Sequence, residues 1–117
     1  MKYMLLIYLD EAYEQMSLAE RGKVYQEQMQ LAQELTSSGQ YLAGAPLFPP
    51  SSATSVRVRD GKRLLTDGPF AETREHLGGY MLIDVENLDQ AIAIAGRGPV
   101  ARVGTVEVRP VREGPPT

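Results

Sequence analysis

The stretch Leu65 to Tyr80 reads Leu-Thr-Asp-Gly-Pro-Phe-Ala-Glu-Thr-Arg-Glu-His-Leu-Gly-Gly-Tyr and gathers more reactive side chains than any other part of the chain. Asp67 is a candidate general base or ligand anchor. His76, the only histidine, has the side chain whose ordinary pKa lies nearest neutrality, so it is the candidate proton shuttle. Each has an ordinary reading beside the chemical one. An Asp before Gly-Pro is suited to accept backbone N–H bonds in an Asx-turn, and His76 reads equally as an incidental polar residue. Glu72, Arg74 and Glu75 are close enough in sequence to form local ion pairs on a solvated surface, or to clamp a substrate. Phe70 reads as core. Gly78-Gly79, at the entrance to an apolar segment, marks a close backbone approach to a neighbouring strand or to a ligand. The catalytic candidates are therefore Asp67 and His76. The ligand-binding candidates are Asp67, Arg74 and Tyr80 as polar anchors, with Phe70 and Met81 as apolar walls.

Composition removes most other chemistry. The absence of cysteine excludes a disulfide framework, a thiolate zinc site, an iron–sulfur cluster and a cysteine nucleophile. One histidine cannot build a transition-metal site, and Asp60, Asp67 and Glu72 are spaced too loosely for a carboxylate cation site, so no metal and no cofactor are expected. No Gly-rich dinucleotide fingerprint, phosphate loop or nucleophile elbow is present. The 12 basic and 15 acidic residues are interspersed, which leaves no basic stripe for nucleic acid. The apolar run Tyr3 to Leu9 is too short for a signal peptide, and no run approaches the ~20 residues needed to cross a bilayer. A soluble protein without membrane partners is expected, and a cysteine-free chain suits a reducing cytoplasm.

At 117 residues, 43% of them apolar, the chain has the size of one domain, expected over residues 1–112 with a frayed tail at 113–117. The elements that position the candidates follow from periodicity. Lys2 to Leu9 reads as a strand with Tyr3, Leu5, Ile7 and Leu9 on one face and Met4, Leu6 and Tyr8 on the other, apolar on both. After a polar connection, Ser17 and Glu20 form a capping-box signature for a helix running to about Ser37, with Leu18, Val24, Tyr25, Met29, Leu31, Ala32 and Leu35 as its stripe and Gly39 as its stop. Gln40 to Ala45 is a short strand. In the Pro-rich loop that follows, Leu47 and Phe48 are expected to tuck against the body or a partner. Thr54 to Arg59 and Lys62 to Thr66 form a hairpin about Asp60-Gly61. Gly79 to Val85 is a second strand apolar on nearly both sides. Asn87 caps a helix with Leu88, Ala91, Ile92 and Ala95 inward, and Thr105 to Val111 is the last strand.

Strand, helix, strand, extra hairpin, strand, helix, strand is the split βαβ order of a ferredoxin-like α+β sandwich with an inserted hairpin. Two helices cover one face of its sheet. The other face is apolar as well, and leaving it wet would forgo roughly 1.5–3 kcal/mol per large side chain, so a homodimer packed sheet to sheet is expected.

Asp67-Gly68-Pro69-Phe70-Ala71-Glu72-Thr73, preceded by Val56 to Gly61 and followed by Gly78-Gly79-Tyr80, Leu88 to Ala91 and Gly104 to Pro110, resembles the DGPF subgroup of the YCII-related family over nearly the whole chain. The resemblance implies a dimeric α/β barrel of ferredoxin-like subunits and, from the small proteins of this kind encoded near alternative sigma factors, a regulatory setting. The His–Asp acid–base pair proposed for the wider family is carried over only at Asp67, because the first helix holds no histidine. Three functions fit: a ligand-binding or regulatory dimer for a small organic molecule, a cofactor-independent enzyme using Asp67 and His76, and a purely structural interaction protein.

Overall fold

The computed structural model describes residues 1–116, so of the expected tail Thr117 lies outside the described residues. In chain order the elements are β1 (Lys2–Leu9), α1 (Glu11–Glu14), α2 (Leu18–Ser37), β2 (Tyr41–Pro46), a 3-10 turn (Pro50–Ser52), β3 (Thr54–Arg59), β4 (Lys62–Asp67), β5 (His76–Asp84), α3 (Leu88–Arg97), α4 (Val100–Val103) and β6 (Gly104–Pro110). The four long-range strands pair in the order β2-β5-β1-β6, antiparallel throughout. This is the ferredoxin-like arrangement, in which β5 is inserted between β1 and β2. Within one chain the sheet is open and does not close into a barrel.

The capping signals act as the sequence predicts. Ser17 accepts from the Glu20 backbone N–H at 3.1 Å while the Glu20 carboxylate reaches back to the Ser17 N–H, and Asn87 accepts from the Gln90 N–H at 3.0 Å. Asp10 caps α1, a single turn within what reads from sequence as a polar connection, and α4 is a second short helix not foreseen.

One face of the sheet makes the core. Tyr3, Leu5, Met81 and Ile83 meet Leu31 and Leu35 of α2 and Ala91 and Ile94 of α3, with Val106 and Val108 packed alongside. A smaller cluster joins Ile7 and Leu9 to Val100. Both helix stripes are narrower than expected. Leu18, Tyr25 and Met29 of α2 are exposed, as are Leu88 and Ile92 of α3, whose inward face turns on Ala91 and Ile94 instead. The alternate strand residues Met4, Leu6, Tyr8, Tyr80 and Leu82 stay half-buried on the helix-free face.

The hairpin does not fold back over that face. It is a separate two-stranded sheet turning at Asp60 (φ +52°) and Gly61 (φ +74°), both left-handed as a tight two-residue turn requires. Every residue of β4 is exposed, and neither hairpin strand packs extensively on the helices or the larger sheet. The radius of gyration, 16.1 Å, exceeds the about 13 Å of a compact chain of this length, and the whole chain, arm included, extends 47 × 45 × 20 Å. Leu47 and Phe48, expected to be tucked away, are exposed as well, Phe48 by 87%.

Candidate functional site

The inner cavity lies between the first half of α2 and the β2–β5 edge. Leu31, Ala32 and Leu35 hold only the C-terminal half of α2 on the sheet. Beneath the N-terminal half, Gly44 stands opposite Met81 and Gly79 opposite Ile7, both on the helix-facing side, so the floor there is backbone. The space left is a cavity of about 110 Å³ walled by Val24, Tyr25, Met29, Met81 and Tyr41. A side chain added to this floor would crowd its neighbours. A Cβ on Gly44 would stand 2.5 Å from the Tyr41 hydroxyl oxygen, and one on Gly79 3.0 Å from the Ala45 carbonyl. The close approach at Gly79 is thus to a neighbouring strand.

Few polar groups face this space. Burial pushes the Tyr41 phenol above its usual pKa, and the neighbouring Tyr80 phenol raises it further, so Tyr41 is a neutral donor at physiological pH. Gln28 donates to the Met81 Sδ at 3.1 Å, a weak acceptor, while its Oε1 is buried without a partner among the described residues.

A second, open cleft of about 900 Å³ lies where β1 runs into α1, lined by Tyr8, Asp10, Glu11, Arg74, Glu75 and Glu107 among others. Its lining carries four carboxylates and one guanidinium beside apolar surface of similar extent. Asp10 accepts from the Ala12 N–H at 3.0 Å, the Thr105 hydroxyl donates to Glu75 at 3.2 Å, and Arg109 donates to Glu107 at 2.8 Å.

The candidates of the central stretch separate. Met81 lines the inner cavity from the helix-facing side of β5, Tyr80 borders it while alternating onto the helix-free face, and Arg74 lines the open cleft. Asp67 ends β4 opposite Thr54, exposed and outside these clefts. No Asx-turn forms there; the turn is closed by the Gly68 N–H to the Ala53 carbonyl at 2.6 Å and by the Ser55 hydroxyl to the Gly68 carbonyl at 2.8 Å, with Gly68 at φ +93°. Phe70, expected in the core, is 75% exposed because the segment after β4 leaves the body. Glu72, Arg74 and Glu75 form no ion pair with one another, being splayed along an irregular segment. His76 Nε2 lies 3.6 Å from a Glu14 carboxylate oxygen, an ion pair when the imidazole is protonated. Among the described residues no three histidine, aspartate or glutamate side chains converge to hold a metal ion, and no helix is long and apolar enough to cross a membrane.

Sequence reasoning missed Gln28 and Tyr41 and placed Tyr25 and Met29 in the core. The signal available was Gly44, a glycine within a strand facing a helix, which marks a close approach to the backbone, here by the Tyr41 ring.

Similarity to known proteins covers nearly the whole chain. An uncharacterized protein of Rhizobium meliloti (strain 1021) is 34% identical over 114 residues, spanning 95% of this chain and 92% of that one. Among solved structures, the 5-chloro-2-hydroxyhydroquinone dehydrochlorinase TftG of Burkholderia phenoliruptrix AC1100, in complex with 2,5-dihydroxybenzoquinone, superposes with a TM-score of 0.59 over 97% of this chain and 96% of that one. At 13% identity that likeness is one of fold. The YCII-related domain model matches residues 1–114, and with the bacterial relative it establishes that the chain belongs to the YCII-related family.

Proposed function

We propose that the protein is a homodimeric binding protein for a small, flat, mostly apolar organic molecule bearing hydroxyl or carbonyl groups, held in the cavity between α2 and the β2–β5 edge. The carrying observation is the cavity's chemistry: apolar and aromatic walls over a glycine floor, with the neutral Tyr41 phenol and the Gln28 amide as its polar partners. About 110 Å³ takes roughly one six-membered ring, since a cavity of ~150 Å³ holds benzene. Tyr41 would donate to a ring oxygen and Tyr25 would stack or edge against the ring. The neighbour that shares this fold carries 2,5-dihydroxybenzoquinone, a flat six-membered ring bearing hydroxyl and carbonyl groups. The dimer half of the reading is supported by the helix-free face of the sheet, where Met4, Leu6, Tyr80 and Leu82 form an apolar band that a second copy would cover. A cysteine-free chain suits residence in the cytoplasm.

Titration with 2,5-dihydroxybenzoquinone, followed by tyrosine fluorescence and calorimetry, tests the site. Saturable binding is expected, abolished by Val24→Phe, which fills the cavity from its α2 wall, and retained in Asp67→Asn. Binding unaffected by Val24→Phe and lost in Asp67→Asn would place the site on the hairpin instead. Consumption of the quinone with turnover would replace a binding protein by a cofactor-independent enzyme.

A further inference from the structure

We propose that the β3–β4 arm of one copy lies across the open sheet face of a second copy, with the cationic tip of the arm in the acid-rimmed cleft where β1 meets α1. This rests on the dimer reading above and adds what the arm is for. A lone two-stranded hairpin is marginally stable in water, yet this one is built with a well-formed tight turn and six residue pairs in register. It carries Val56 and Leu65 as a direct cross-strand pair on one face, both exposed, with Val58 beside them. Within its own chain that face touches nothing extensive.

Three observations select a second copy as the occupant. The first is charge. The hairpin holds Arg57, Arg59, Lys62 and Arg63 against Asp60 and Asp67, a local excess of positive charge in a chain whose net charge is -3, and none of its four cations has an ion-pair partner among the described residues. The open cleft shows the opposite balance, with Asp10, Glu11, Glu75 and Glu107 against Arg74. The second is reach. Strands of six residues extend about 20 Å, enough to cross the roughly 14 Å between the outer strands of a four-stranded sheet at ~4.8 Å spacing. The third is apolar match. The Val56, Val58 and Leu65 face would meet the band made by Met4, Leu6, Tyr80 and Leu82, which the helices of its own chain leave uncovered. In a two-fold dimer each arm covers the other copy, so both cation tips and both acidic clefts are matched at once. Each cleft, open in one chain, would be roofed by its partner.

The chain has no cysteine, so paired reporters are clean. Lys62→Cys and Glu11→Cys, introduced together at two exposed positions and oxidised at low salt, are expected to yield a covalent species of twice the 12.9 kDa chain, with mass spectrometry mapping the link between positions 62 and 11. Each single variant serves as a control for links between like positions. An intrachain link, or none, overturns the arm exchange. Sedimentation separates the two levels of the reading: a wild-type monomer at micromolar concentration overturns dimer and arm together, while a dimer lacking the 62-to-11 link removes the arm alone. In a cysteine-free background, Arg59→Glu with Lys62→Glu is expected to raise the dimer dissociation constant at least tenfold at low salt. An unchanged constant overturns the tip contact.

Discussion

Ile83 and Leu65 are aliphatic residues on strands of the same chain, yet Ile83 has no exposed surface and Leu65 is 61% exposed. Ile83 sits on β5 between β1 and β2, under two helices, where each neighbour reinforces the others. Leu65 sits on an arm with one neighbouring strand and water on both sides. The four-stranded sheet and its helices share one buried core. The arm has regular strands and a well-formed turn but no core of its own, and its apolar side chains are exposed.

The largest test of that contrast is a pair of truncations. Ile83→Ala removes a fully buried side chain from the core and is expected to cost about 3–4 kcal/mol in urea unfolding. Leu65→Ala is expected to cost under about 0.5 kcal/mol at low protein concentration. If its cost grows with concentration, the arm packs on a second chain. If it is large at every concentration, the arm packs on its own body and the contrast fails.

Glycines sharpen the same division. At Gly104 a Cβ would stand 2.2 Å from the Tyr8 carbonyl oxygen, where β6 meets β1, so Gly104→Ala is expected to destabilise the body by about 2–3 kcal/mol. At Gly61 nothing is within reach, and the only penalty is the left-handed backbone, about 1 kcal/mol. That penalty falls on the arm alone. Hairpin amides in Gly61→Ala should exchange about fivefold faster while thermal unfolding of the body is unchanged.

A smaller effect probes the cavity. Tyr41 has a raised folded-state pKa, so above pH 10 the unfolded chain loses this proton first and stability falls as pH rises through the folded value. Below pH 10 the contribution is fully present. Tyr41→Phe is expected to flatten this alkaline decline in denaturation midpoints measured from pH 9 to 11. An unaltered slope would mean that the phenol is freely hydrated and the cavity wetter than described.

Much of the body was legible from sequence because local signals agreed with each other. The alternation in Lys2 to Leu9, the Ser17–Glu20 cap and the Asp60-Gly61 turn each name one conformation, and together they leave one ferredoxin-like topology. The site was less legible. Residue type marked Asp67, Phe70 and Arg74, but a cavity depends on what fails to fill space, and Gly44 under Tyr25 and Met29 is visible only when β2 and α2 are placed together. Phe70 and Phe48 were misplaced for a related reason. Apolar character signals burial without saying in which chain, and both residues lie in segments that leave the body.

Asp67 gives the finest test, because its reactive setting in the sequence contrasts with its bare setting in the fold. The turn beside it is held by Gly68, Ala53 and Ser55 through backbone and hydroxyl groups, so the carboxylate can be replaced without loosening it. Asp67→Asn is therefore expected to change stability by less than about 0.5 kcal/mol, measured by urea unfolding at several concentrations. A loss above that range at high concentration only would mean that the carboxylate meets a cation across an interface, and Arg74 or Arg109 on the face of a second copy would be the first partner to mutate. A loss at all concentrations would restore the turn-forming role that residue type suggests and would require the segment after β4 to pack more tightly than its exposure indicates.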